Sequence, residues 1–132
     1  MSTDYKGKRP FKSKGVLQSF YYAYDGIKHT LVTERNMRIH MFISMLVIAL
    51  GLILKITSLE WMFILFAVGG VISLELINTA IERLVDLATS EYHPLAKQAK
   101  DIAAGAVLVY ALLSVIIGLM IFLPKLIELS SL

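Results

Sequence analysis

Residues 61–84 read WMFILFAVGGVISLELINTAIERL, and this stretch decides what kind of molecule the chain forms. A helix needs about 20 predominantly apolar residues to cross a bilayer, because each backbone polar group must find its partner inside the segment where water is absent. Residues 61–84 meet that length, although their second half carries Glu75, Asn78, Thr79 and Glu82, with Asp86 just beyond. On either side lie two further apolar runs, at about residues 40–56 (HMFISMLVIALGLILKI) and 102–123. The expected fold is an all-α integral membrane protein with three transmembrane helices. The first span is short, and Lys55 is expected to snorkel to its interface.

Composition agrees with this solvent: 57% of the 132 residues are hydrophobic, too many for the core of so small a water-soluble domain. Cysteine is absent, which excludes a disulfide scaffold, a thiol nucleophile and Cys-ligated metal. The basic N-terminus resembles the start of a signal peptide, but the first apolar run begins near residue 40 and no small-residue cleavage site follows. A cleaved signal is therefore not expected. No repeat is visible, and three spans with short connections leave room for a single domain over residues 1–132.

Charge placement predicts orientation. Residues 1–40 hold eight basic residues (Lys6, Lys8, Arg9, Lys12, Lys14, Lys28, Arg35 and Arg38), and 83–100 hold Arg83, Lys97 and Lys100. The other two ends have only Lys55 and Lys125. By the positive-inside rule the N-terminus and the second loop are cytoplasmic, and the C-terminus is extracellular. The arm 1–14 reads as basic and flexible, suited to topology and anionic lipid rather than to nucleic acid.

From Leu17 a stripe of Leu17, Phe20, Tyr24, Ile27 and Leu31 advances in steps of three and four. This spacing predicts an amphipathic helix over 15–38, with Tyr21, Tyr22 and Tyr24 suiting it to the membrane interface. Glu34 and Arg38 continue the same steps, so a carboxylate is expected on the face turned toward the bundle.

At 100° per residue, Glu75, Thr79, Glu82 and Asp86 fall within about 60° of one another, with Asn78 beside them. The polar groups form one seam. Charge inside a bilayer costs several kcal/mol unless paired, hydrated or neutralised, which makes such residues functional by default. Hydrogen-bonded helix glue in a larger membrane assembly, an ion or proton path, and a catalytic metal and proton-transfer site all remain open on this pattern. Depth argues against conduction, because the outer half WMFILFAVGGVI holds no charged side chain. Counted from Trp61, Glu75 lies about 21 Å in and Glu82 about 31 Å in. Glu34 precedes the first span and Lys100–Asp101 precede the third, so the charges converge on one leaflet.

Carboxylates and lysines at such a boundary suit metal-assisted phosphoryl transfer: magnesium takes one or two carboxylates plus nucleotide phosphates, and another carboxylate can accept a hydroxyl proton. The chain lacks a G-x-x-x-x-G-K-[ST] loop and any soluble-kinase signature.

The run ELINTAIERLVD (75–86) resembles the signature of the small prokaryotic diacylglycerol kinase family, Glu-x-x-Asn-(Ser/Thr)-Ala-x-Glu-x-x-x-Asp. TERN (33–36) upstream and HPLAKQAKDIAAGAV (93–107) downstream stand in the same order and spacing, and the likeness covers about residues 15–124. TERN, LEW (59–61) and HPLAK look most like the Gram-positive branch, whose members are undecaprenol kinases. The resemblance implies an ATP- and Mg2+-dependent lipid kinase acting on a long-chain lipid alcohol, with diacylglycerol as the alternative acceptor, and a homotrimer with shared active sites in the cell membrane. It implies Glu75 as the general base and Glu34 and Glu82 as metal ligands. Asn78 would orient Glu75 or the metal cluster. Asp86, Lys100, Asp101, Tyr22 and Glu34 are grouped with Asn78 as cofactor-binding residues. Near Gly15 the chain lacks the basic residue found in diacylglycerol-specific members. Trp61 is expected as an interface anchor, His93 as a helix-start feature, Lys97 as a lipid-phosphate or solvated charge, and AAGA (103–106) as a close-packing surface.

Overall fold

A computed structural model describes residues 15–131, so the basic arm 1–14 lies outside the described residues. Within them the chain forms four helices and no strand: α1 (Val16–Thr33), α2 (Arg35–Ile53), α3 (Ser58–Ala88) and α4 (Pro94–Ser130). The last three are long and apolar enough to cross a membrane.

The expected helix over 15–38 is not continuous. It ends at Thr33, and Glu34 takes an extended conformation (φ −97°, ψ 123°) before α2 starts at Arg35. Thr30 and Thr33 turn their hydroxyls back onto the carbonyls of Gly26 and His29 at 3.0 and 2.9 Å, a habit that bends or ends helices. Arg38, one turn into α2, donates to the Val32 carbonyl at 2.7 Å and supplies a partner that the end of α1 would otherwise lack. Periodicity missed the break because a single extended residue leaves the three-and-four spacing intact. Thr30 alone is buried in α1, while Leu17, Phe20 and Tyr24 face outward.

At the far end of α2 the chain closes a Schellman turn. The Ile56 amide reaches the Gly51 carbonyl at 3.2 Å and the Lys55 amide the Leu52 carbonyl at 3.4 Å, with Lys55 at φ 48° in the position that glycine usually fills. Thr57 and Glu60 then cap α3 reciprocally. Ile56, Ile64, Ile121 and Phe122 form an apolar cluster joined by Trp61, and a Lys125–Glu60 ion pair at 3.3 Å lies beside it.

Helix α3 is the centre of the molecule. Its buried residues Ile64, Ala67, Val71, Glu75, Asn78 and Thr79 form one stripe that begins dry and ends polar. It packs mainly on α4 and secondarily on α2. Gly70 lets the Tyr110 ring lie against the α3 backbone, where the hydroxyl donates to the Phe66 carbonyl at 3.0 Å. Large apolar side chains such as Phe66, Val109 and Met120 point outward, as expected where lipid is the solvent. Between α2 and α4, over the face of α3, runs an apolar groove of about 370 Å³ edged by His40, Ser44 and Ser114.

The α3–α4 connection ends with His93, whose Nδ1 accepts from the Leu95 amide at 3.2 Å, and Pro94 opens α4. That is the helix-start role expected of His93. Helix α4 therefore extends well beyond the apolar run at 102–123. With 37 residues it is about 55 Å long, more than the hydrocarbon thickness, so Lys97, Lys100 and Asp101 ride on a helical extension.

Candidate functional site

The seam expected on 75–86 descends from dry to wet. Glu75, Asn78 and Thr79 are 3%, 6% and 4% exposed, Glu82 is half-buried and Asp86 is exposed. Helical spacing stacks these groups on one face, and the packing of α2 and α4 over the upper part of that face removes its water. A carboxyl buried in such a place is costly unless it is paired, hydrated or neutralised, so its presence points to a function.

Asn78 connects the levels. Its Nδ2 donates to Glu82 Oε1 at 3.0 Å, while its Oδ1 is buried with no hydrogen-bond partner. Native interiors rarely leave such an oxygen unpaired. A hard cation is a natural partner for it, together with the remaining lone pairs of Glu82. The fit is partial within one chain: no three His, Asp or Glu side chains among the described residues are gathered closely enough to hold a metal by themselves. Magnesium does not demand such a cage, since it commonly takes one or two carboxylates and completes its shell with water and phosphate oxygens.

Glu34 arrives from the joint between α1 and α2. Arg83 Nη2 donates to its Oε1 at 3.0 Å and to Thr33 Oγ1 at 2.9 Å, and Arg83 Nη1 lies 2.6 Å from His29 Nε2. Among the described residues, His40, Glu82 and Glu34 lie close enough to act electrostatically on the Glu75 carboxyl. Glu34 from the α1–α2 joint, His40 from α2 and Glu75 and Glu82 from α3 thus lie in one neighbourhood.

The remaining candidates divide into two groups. Asp86 and Lys100 pair across α3 and α4 at 2.5 Å, whereas Asp101 is paired with Lys97 one turn earlier on α4. Lys100 and Asp101, adjacent in sequence, therefore serve different partners here. Tyr22 sits about 18 Å along α1 from Glu34; its hydroxyl accepts from Gln18 at 2.9 Å and its ring meets Tyr21 edge-on at 6.0 Å. The sequence reading singled out neither His40 nor Arg83. His40 carried a signal, since it opens an apolar run, but Arg83 looked like an ordinary topology charge.

Comparison with known proteins places this geometry in context. The family model for prokaryotic diacylglycerol kinase matches residues 21–122. The undecaprenol kinase of Bacillus subtilis is 53% identical over 109 residues, covering 83% of this chain and 89% of that protein. A diacylglycerol kinase of Synechocystis is 43% identical over 115 residues, 86% of this chain and 66% of that protein. The diacylglycerol kinase of Escherichia coli is 28% identical over 101 residues, 76% of this chain and 83% of that protein.

Proposed function

This chain belongs to the prokaryotic diacylglycerol kinase family, and from that premise we propose that it phosphorylates the hydroxyl of a long-chain lipid alcohol, undecaprenol, at the expense of ATP. Lipid kinase activity follows from the family and its members. The choice of acceptor is carried by one observation, the 53% identity with the undecaprenol kinase across 89% of that protein. Diacylglycerol is the second reading, favoured by the 43% identity with the Synechocystis enzyme.

In the proposed reaction Glu75 is the catalytic base. It accepts the proton of the lipid hydroxyl as that oxygen attacks the γ-phosphorus, and the bond from the γ-phosphorus to the departing ADP oxygen breaks. Its burial supports this role, since a dry carboxyl at the end of an apolar stripe can meet a hydroxyl delivered from the membrane. Glu34 and Glu82 would hold Mg2+ with help from Asn78 Oδ1, and the unpaired state of that oxygen supports the assignment. The metal, when bound, offsets the charge of the phosphate oxygens. Asp86, Lys100 and Asp101 flank the nucleotide, with Lys100 drawn toward the phosphates from its pairing with Asp86. Tyr22 and the outward apolar stripe of α1 suit an interfacial helix lying against membrane lipid at the entrance.

The chain works as a homotrimer with active sites shared between subunits, a reading supported by the open apolar groove between α2 and α4. It lies in the cell membrane with its N-terminus and active site cytoplasmic. The test is a paired assay of purified protein with Mg-ATP and either undecaprenol or diacylglycerol. Faster phosphorylation of undecaprenol supports the reading, preference for diacylglycerol transfers it to the second acceptor, and no phospholipid product from either refutes it.

A further inference from the structure

Arg83 has more partners than an orienting surface charge requires. Its guanidinium spans His29, Thr33 and Glu34, which lie 49 to 54 residues away in sequence, and it is 46% exposed against 31% for Glu34. An ion pair so open to solvent contributes little stability by itself. Its geometry, however, is specific. The planar fork meets three side chains on two turns of α1 and on the extended residue where the chain turns into α2. The Thr33 hydroxyl lies 3.2 Å from the same Glu34 Oε1 but has one proton, which the closer His29 carbonyl takes at 2.9 Å, so it is the guanidinium that holds Glu34, and it does so through Oε1.

This matters because Glu34 sits in the one-residue joint between α1 and α2, not within a helix. Helix α1 buries only Thr30, and Glu34 itself is outside both helices. Arg38 secures the joint locally through the Val32 carbonyl, but that bond joins residues six apart and cannot fix the joint to α3. Arg83 does so, one residue after Glu82 on the helix that carries the seam.

We propose that Arg83 is a positioning residue: it fastens the α1–α2 joint to α3 and holds Glu34 by one carboxylate oxygen so that the other faces the Asn78–Glu82 side for the divalent cation. This rests on the reading of Glu34 and Glu82 as the cation's ligands. Removing a group that orients a ligand carboxylate from behind typically costs about 10- to 100-fold in metal affinity or activity. Lysine, with a single ammonium centre, cannot reach all three partners and would restore only part of the effect.

The experiment compares Arg83→Ala and Arg83→Lys with wild type in two measurements. Backbone hydrogen exchange across residues 29–34 is followed without Mg2+ or ATP, and Mg2+ is titrated in the kinase assay. Arg83→Ala should exchange faster at the joint, with α3 and α4 still protected, and should require about tenfold more Mg2+ with the KM for lipid alcohol unchanged; Arg83→Lys should fall between. In a Glu34→Gln background Arg83→Ala should leave the Mg2+ requirement unchanged. Unaltered exchange at the joint, or full additivity of the two substitutions, overturns the proposal. A raised KM for ATP with normal exchange also overturns it, since the guanidinium would then serve the nucleotide. If Glu34→Gln alone keeps wild-type Mg2+ dependence, the ligand reading fails instead, and with it the aiming role of Arg83, whatever the exchange data show.

Discussion

Gly70→Ala is a small change with a large expected effect. A Cβ at position 70 would overlap the ring and hydroxyl of Tyr110, and neither the backbone of α3 nor the ring itself can yield by a minor rotation. Either Tyr110 swings out, losing its bond to the Phe66 carbonyl, or α4 moves away from α3 along their contact. Overpacking of this kind costs about 1–3 kcal/mol. An interhelical hydrogen bond in a membrane contributes about 0.6 kcal/mol more. The expected loss is thus about 1.6–3.6 kcal/mol, measured as a shift in SDS-induced unfolding of the protein in mixed micelles. Two controls separate the contributions. Tyr110→Phe should lose only the hydrogen-bond part, and Gly70→Ala combined with Tyr110→Ala should recover some of the overpacking cost, because the obstacle is gone. Wild-type stability in Gly70→Ala would refute the close seating of Tyr110 on α3. The register of α3 against α4 that pairs Asp86 with Lys100 would then need another explanation.

Glu34→Gln and Glu82→Gln should each raise the Mg2+ requirement and lower activity; a variant with wild-type rate and metal dependence would remove that residue from the metal site. Exchanging Asp86 and Lys100 in a double variant should keep the α3–α4 pair and the fold but raise the KM for ATP, whereas an unchanged KM would mean that the pair serves packing alone. A reporter fused after Leu132 should be extracellular; a cytoplasmic reporter together with a cytoplasmic N-terminus would contradict three crossings.

The helical fold and the carboxylate seam were legible because both rest on local periodicity. Three apolar runs mark the crossing helices, and the spacing of Glu75, Thr79, Glu82 and Asp86 places them on one face whatever packs against it. What required coordinates was each feature set by a distant partner or by one residue's backbone. Glu34 breaks the helix expected over 15–38 through a single extended residue, which no count of apolar steps reveals. Lys100 stands beside Asp101 in sequence but extends to Asp86 across the interhelical space, because neighbouring residues on a helix diverge by 100°. Arg83 carried no signal at all, since its three partners lie about 50 residues upstream, on α1 and on the joint that follows it. The free Oδ1 of Asn78 likewise depends on what the bundle leaves unpaired.

The central claim is that the buried seam performs chemistry rather than holding helices together, and Glu75→Gln tests it most directly. Glutamine keeps the shape and hydrogen-bonding capacity of the side chain but cannot take the lipid hydroxyl's proton. Single-turnover phosphorylation of undecaprenol by this variant, with Mg-ATP binding and unfolding measured on the same preparation, should show normal binding and stability and a rate lower by about 10² or more. Near-normal turnover would contradict a catalytic Glu75, and a loss of folding in step with activity would return Glu75 to the role of helix glue.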